Sequence, residues 1–376
     1  MPNLTVYSQF TFTLCNSFMN KKLDDYTSKE KIDIALSHCA LNYYLPYQPE
    51  QDELAFYNKI RLSQALASTD QEYSSLLLES CSLNQTGKNV LKQTNKQFIF
   101  TTFHYCSYRL LPFLLGKAGF DICLVVTKDV LSKQAHQYLD LKQQGNYNIR
   151  FKILDAESKT IVKECIKAIR SGYSMLFYID GNAGVGGMNR RDDSLIEVNF
   201  LSKKLLSRKG IAFLSSLTKK PIVPVVANKT SFNKLTFDFA QPLAIPERTD
   251  KSLQQTTQKI YSKLEPYLRY SPYKWEAWLY LYKWISTSYI QLHQIALTPH
   301  TLSLRLNKNH FRLIDYGVAK TLLNKVTMRI SELSLAEYTL LEKLIHPVLL
   351  SELTSDERDL MKTDKILNAL EENVLW

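Results

Sequence analysis

What the chain lacks narrows its chemistry first. No stretch of its 376 residues reaches the roughly 18 uninterrupted apolar residues of a spanning helix, so no helical membrane span is expected. Met1 to Met19 carries no basic n-region and no small-residue cleavage pattern, so no export signal is expected either. The six cysteines, at 15, 39, 81, 106, 123 and 165, show neither metal-ligand spacing nor a paired framework, and they read as reduced thiols of a cytosolic protein with no bound metal. Internal repeats and low-complexity linkers are absent. The glycine-rich stretch from Gly181 to Gly187 is not a P-loop, because no Gly-Lys-Ser/Thr follows it. Nor is it a dinucleotide fingerprint: charged Arg190-Arg191-Asp192-Asp193 stands where a helix would have to begin.

What is present is a basic, aromatic-rich, globular chain. Lys and Arg number 47 against 36 Asp and Glu, a net charge of +11. That balance favours anionic partners: phospholipid surfaces, nucleic acid, acidic carrier proteins or coenzyme phosphates. Apolar residues make up 45%, with 22 Tyr and 17 Phe, enough for a large core and more than one domain.

Three regions differ in pattern. Residues 1–95 repeat apolar positions at helical spacing (Ile32, Ala35, Leu36, Cys39; Leu62, Ala65, Leu66) and read as an N-terminal helical cap. Residues 96–299 alternate strand and helix patterns. The strands are Gln97–Phe103, Ile122–Thr127, Arg150–Leu154, Ser174–Ile179, Ile222–Ala227 and Leu235–Phe239. Helices are expected at Leu110–Ala118, Lys133–Gln143, Lys159–Ser171, Ser202–Leu217 and Ser252–Glu265, the last ended or kinked by Pro266. The order implies an α/β fold, a layered mixed sheet with crossover helices. Aromatic residues cluster at 273–290 (Tyr273, Trp275, Trp278, Tyr280, Tyr282, Trp284, Tyr289), either as a core helix or as an interfacial belt. Residues 300–376 form a separate small domain: a strand at Phe311–Ile314, a capped helix at Leu335–Ile345, a short helix at Leu350–Leu353 and another at Asp364–Leu370.

His104 follows the apolar, β-branched run Phe98-Ile99-Phe100-Thr101-Thr102-Phe103. A histidine at a strand end stands where a general base would, although a core or loop histidine fits the pattern too. A second apolar run, Met175 to Ile179, leads into Asp180-Gly181 and the glycines that let backbone N–H groups approach a ligand. A third segment runs from Ser207-Arg208-Lys209-Gly210 through Ile211 to Leu214, and on to Pro221-Ile222-Val223-Pro224-Val225.

In this order the three segments, with Pro272-x-x-Trp275, resemble the acyltransferase block of the lipid A late acyltransferases and the wider glycerolipid acyltransferase superfamily, over residues 95 to 285. The resemblance implies transfer of a fatty acyl group from an acyl carrier protein or coenzyme A thioester, with no bound cofactor. It makes His104 the base that takes the acceptor's proton. The superfamily places an acid five residues after that histidine, and this chain has Arg109 there. Three readings follow. Another carboxylate serves, Asp180 first and Asp121 second; or His104 works unassisted on a more nucleophilic acceptor such as an amine; or catalysis is lost. Cys106, two residues on, raises a Cys-His alternative. Arg109 and Lys128 are candidates for holding an anion of donor or acceptor. Gly181, Arg190, Lys203 and Lys204 complete the substrate-binding candidates, the basic run from Lys203 to Lys220 suiting a phosphopantetheine phosphate or an acidic carrier if it is not simply a solvated face.

From Ser351 to the end seven acids face three bases, opposite in sign to the body. The order of elements from 308 to 376 resembles the winged-helix peptide-recognition modules of ribosomal-peptide maturation enzymes, in which a leader peptide adds as a strand. The acidic end disfavours nucleic acid, and a packing or oligomerisation role also fits. The expected function is thus fatty acyl transfer to a peptide amine in the cytoplasm. One alternative is a lysophospholipid or lipid A-type glycolipid acceptor, reached peripherally on an anionic inner membrane face. The other is an inactive acyltransferase fold that serves as a binding protein.

Overall fold

The computed structural model describes residues 4–46, 52–132, 150–182, 184–185, 187, 190–231, 234–286, 303–315 and 320–372. The chain is mixed α/β and divides into two compact units, Met1–Lys21 with Pro49–Tyr280, and Lys22–Gln48 with Leu281–Trp376. The sequence boundaries at 95 and 299 do not coincide with these units. The helix Ser28–Tyr44, read as part of the N-terminal cap, belongs with the C-terminal residues instead.

The first unit is built on a seven-stranded sheet. Its strands are β1 (Ser82–Leu83), β2 (Ile99–Thr102), β3 (Ile122–Val126), β4 (Phe151–Asp155), β5 (Ser174–Tyr178), β8 (Ile222–Ser231) and β9 (Lys234–Phe239), in the order β1-β9-β8-β2-β5-β3-β4. Strands β8, β2, β5, β3 and β4 run parallel, while β9 is antiparallel to β8. Central parallel strands are covered on both faces and therefore read as unbroken apolar runs. Every residue of β2 and β3 is buried accordingly. Helices Leu111–Lys117, Ile161–Arg170 and Gly210–Thr218 make the crossovers.

Between β5 and β8 the expected helix Ser202–Leu217 is corrected. Lys203–Arg208 is a strand, β7, paired antiparallel with β6 (Leu195–Phe200), and the helix begins only at Gly210. Leu205 and Ser207 are buried while their neighbours are not, which is a two-residue period that a helix cannot satisfy. Pro266 ends no helix: Asp250–Ser262 has already stopped, and Pro266 sits in the first turn of Glu265–Tyr270, where its missing N–H costs nothing. The expected helix Lys133–Gln143 lies outside the described residues. The aromatic cluster forms three short 3-10 turns, not the expected core helix; Trp275, Trp278 and Trp284 are fully buried, Tyr273, Tyr280 and Tyr282 are half-buried, and Tyr289 lies outside the described residues. Among the described residues no helix is long and apolar enough to cross a membrane.

The second unit has its own core, in which Leu304, Leu306, Leu340, Leu341, Ile366 and Ala369 are almost wholly buried. It carries two three-stranded antiparallel sheets. One pairs β10 (Ser303–Leu306) with β14 (Val348–Leu349) and β15 (Leu370–Glu372); the other orders β11 (Phe311–Asp315), β12 (Lys320–Asn324) and β13 (Arg329–Leu333). Ser334 caps the helix Leu335–Lys343 in a reciprocal pair with Glu337. A helix not anticipated, Ser355–Met361, opens on the same device at Thr354 and Glu357.

Candidate active site

The register of two parallel strands assembles the site. Thr102 at the end of β2 lies beside Tyr178 at the end of β5. Two residues further along each chain come His104 and Asp180, side by side beyond the same end of the sheet. Asp180 sits in the 3-10 turn Ile179–Gly181 that terminates β5. His104 Nδ1 lies 2.8 Å from Asp180 Oδ1, and the His104 backbone N–H donates to Asp180 Oδ2 at 2.8 Å. Trp275 Nε1–H donates to the same Oδ2 at 2.7 Å.

The Asp180 side chain is 1% exposed and that of His104 20%. A buried carboxylate is tolerable only when its lone pairs are used, and three donors use these. The carboxylate accepts a hydrogen bond from Nδ1–H, which leaves Nε2 as the basic nitrogen of the neutral ring. Burial acts to lower the His104 pKa. The charge and hydrogen bond of Asp180 outweigh it, Glu276 adds to the rise, Arg109 opposes it, and the pKa ends above the ordinary histidine value.

Trp275 is delivered by a main-chain crossing. Tyr105 and Trp275 form an isolated bridge, the Glu276 N–H donates to His104 O at 2.9 Å, and the Cys106 N–H donates to Lys274 O at 2.9 Å. Aromatic rings complete the frame around the imidazole. Tyr108 and Tyr178 each lie with ring centroids 4.9 Å from it, and the Tyr280 hydroxyl is 3.4 Å from Nδ1. Burial, then the charges of Asp180 and Glu276, holds the Tyr280 phenol well above its usual range, so it remains protonated.

No family model matches the chain, and no curated protein matches it.

Arg109 lies at the rim of this frame, half-buried in the 3-10 turn Tyr108–Leu110. Its Nε–H donates to the Tyr108 hydroxyl at 3.2 Å, which in turn donates to Glu276 at 3.0 Å. Gly181 touches the site directly: a Cβ there would stand 3.5 Å from His104 Cε1. Lys128 is exposed just beyond β3, at the sheet end where His104 lies.

The other candidates are not brought together with His104. Asp121 precedes β3, and by register it lies level with the start of β2, some seven residues and roughly 20 Å of strand from His104. There it takes both the main chain and the guanidinium of Arg150, at 2.7 to 2.9 Å, so it is not the carboxylate partner of His104. Lys203 and Lys204 start β7 and sit roughly 15 Å of strand from Arg208, at the far end of the hairpin from Asn182. Lys204 donates to Asn199 at 2.6 Å. The basic run from Lys203 to Lys220 is not one face: it passes through a strand and a helix, and Lys209 pairs with Asp250 at 2.6 Å. Arg190 pairs with Asp192 at 2.6 Å. Cys106 has a φ of +54°, which breaks the extended geometry that would align it with His104. Burial pushes its thiol pKa up despite Lys274 and Lys229, which disfavours a thiolate nucleophile.

Sequence reasoning missed Arg208. Its guanidinium donates to the carbonyls of Asn182 at 2.8 Å, Gly187 at 3.1 Å and Arg190 at 3.2 Å, and to Ser194 Oγ at 2.7 Å. Asn182, left-handed at φ +46°, returns the tie by accepting the Arg208 N–H at 3.1 Å. A Cβ at Gly184 would come within 3.1 Å of Arg208 Nε, so any larger residue there would crowd this clamp. No spacing rule flags an arginine that binds main-chain carbonyls. Tyr178, by contrast, could have been placed by strand alternation from Asp180.

Proposed function

We propose that the first unit is a thioester-dependent acyltransferase with His104 as its general base. The observation that carries this reading is the buried Asp180 carboxylate, which holds both the ring and the main chain of a partly exposed histidine at the end of a central strand. The acceptor's hydroxyl or amine attacks the thioester carbonyl and gives its proton to His104 Nε2. The carbon–sulfur bond then breaks, and the imidazolium returns that proton to the leaving thiolate of coenzyme A or an acyl carrier protein. Asp180 stabilises the imidazolium without taking the proton. The acceptor we favour is a peptide amine, recognised through the second unit, in the cytoplasm.

A lipid acceptor at a membrane face is the second reading. It is favoured by the helix Leu4–Met19, which has no charged side chain and leaves Leu4, Val6, Phe10, Phe12 and Met19 exposed. Sedimentation with phospholipid vesicles separates the two acceptors.

The test of the activity is thiol release from acyl-coenzyme A and from acyl carrier protein. His104→Ala should cost at least about 10²-fold in turnover with the fold intact. Equal turnover in the variant rejects the role of His104. If the unaltered protein releases no thiol from either donor, the enzyme reading fails and the inactive binding protein takes its place.

A further inference from the structure

We infer that Asp70, far from His104 in sequence and never touching it, is a positioning residue that sets the turn carrying Tyr108 and Arg109 against the imidazole. The inference rests on the acyltransferase reading only for its kinetic arm.

Asp70 is 1% exposed near the end of the helix Glu53–Glu72. Three groups from three other segments converge on it. Tyr7, from the helix Leu4–Met19, donates to Oδ1 at 2.5 Å; Lys229, from β8, donates to Oδ1 at 2.8 Å; Ser107 donates to Oδ2 at 2.5 Å. Lys229 also bonds the Tyr7 hydroxyl. A buried ionic network of this kind seldom adds stability over a well-packed apolar core. It does fix one arrangement of the groups that share it.

The fixed group that matters is Ser107. It lies between Cys106, the left-handed residue at φ +54°, and the 3-10 turn Tyr108–Leu110, and its carbonyl accepts the Leu110 N–H at 3.0 Å. A non-glycine residue in the left-handed region persists only where its surroundings over-determine it. Two restraints do so here: the Cys106 N–H on Lys274 O at 2.9 Å, and the Ser107 hydroxyl on Asp70. One residue later Tyr108 packs its ring edge-on to His104, and Arg109 follows with a charge that lowers the histidine pKa. Asp70 therefore governs His104 through the turn.

Release of that turn should loosen the Tyr108 ring packed on His104 and let Arg109 move away, and the loss of burial and of a neighbouring cation both act to raise the His104 pKa further. A merely structural residue would not move that value.

The experiment compares Ser107→Ala, Asp70→Asn and Tyr7→Phe in the full chain. The His104 imidazole is titrated by NMR, and thiol release is measured alongside. Ser107→Ala and Asp70→Asn should shift the His104 titration upward and cut kcat at least about tenfold, within the range of a disturbed general base, with KM within about twofold. Tyr7→Phe removes a partner of Asp70 but leaves the Ser107 bond, so it should lower the melting temperature and leave both readouts unchanged. If Asp70→Asn does not fold, Ser107→Ala still decides. An unchanged His104 titration in folded Ser107→Ala overturns the inference. An upward shift in a protein with no thiol release upholds it and rejects the acyltransferase reading instead.

Discussion

One carboxylate of Asp180 engages His104 twice, its Oδ1 taking ring Nδ1 and its Oδ2 the backbone N–H, each at 2.8 Å. Asp180 holds the ring from the neighbouring strand.

Asp180→Asn is nearly isosteric but offers an amide where Nδ1–H needs an acceptor, so the ring should turn or change tautomer. Turnover should fall by about 10²- to 10⁴-fold. Asp180→Ala also leaves the Trp275 indole N–H and the His104 N–H without their acceptor. At about 1–3 kcal/mol for each unsatisfied buried donor, it should unfold at clearly lower denaturant than Asp180→Asn. Equal denaturation midpoints for the two variants would show that these donors find other partners.

The raised His104 pKa has a kinetic and a stability consequence. A base works unprotonated, so thiol release should climb with pH through a midpoint above the ordinary 6.5. Because the folded pKa exceeds the unfolded one, protonation of His104 stabilises the fold fully below the unfolded value, and that stabilisation is lost as pH rises through the folded pKa. Arg109 opposes the rise. Arg109→Glu should therefore push the acidic limb of the pH–rate profile to still higher pH, and Arg109→Met should push it less. A limb that does not move with charge at position 109 would place the guanidinium too far away to act.

How much of this was legible in the sequence differs from residue to residue. The strand ends could be read, because central parallel strands advertise themselves as apolar runs. Two such runs ending in Phe-His and Ile-Asp put His104 and Asp180 each at the end of an apolar strand, but the pairing of β2 with β5 that sets them side by side came only with the fold. The hairpin β6–β7 was not legible, since Lys-Lys-Leu-Leu-Ser-Arg fits a helix locally and only pairing across six registered positions makes it a strand. Asp121 misled because proximity in sequence says nothing of which sheet end a residue occupies. Trp275 reaches the site, and Asp70 the turn beside it, across long separations, and only the assembled fold brings them there.

Arg208 should be sensitive to shape more than to charge. Its planar fork reaches three main-chain carbonyls and a hydroxyl in different directions, which a lysine cannot do. Arg208→Lys should thus lose most of what Arg208→Ala loses, about 1–3 kcal/mol in denaturant melts, with a raised KM for the thioester if the loop after Asp180 contacts the donor. Full stability in Arg208→Lys would mean that the ion pair with Asp192, whose Oδ1 lies 3.6 Å from Arg208 Nη1, alone suffices.

The second unit offers a strand edge for a peptide. β13 is an edge strand of its three-stranded sheet, paired only with β12 among the described residues. An edge of this kind can accept a further strand. Successive N–H groups of a strand point to opposite sides, so of Ile330 and Ser331 one directs its N–H towards β12 and the other outward. Proline removes the donor at either. The inward substitution should break the ladder and lower stability. The outward one should leave the fold intact, weaken an acceptor peptide at least about tenfold, a loss of about 1.4 kcal/mol and so the scale of one hydrogen bond, and leave thiol release from the donor unchanged. The two variants are read together by circular dichroism, peptide binding and thioester turnover. If the folded variant acylates and binds peptide as the unaltered protein does, β13 is not the docking strand and the lipid acceptor becomes the better reading of the site.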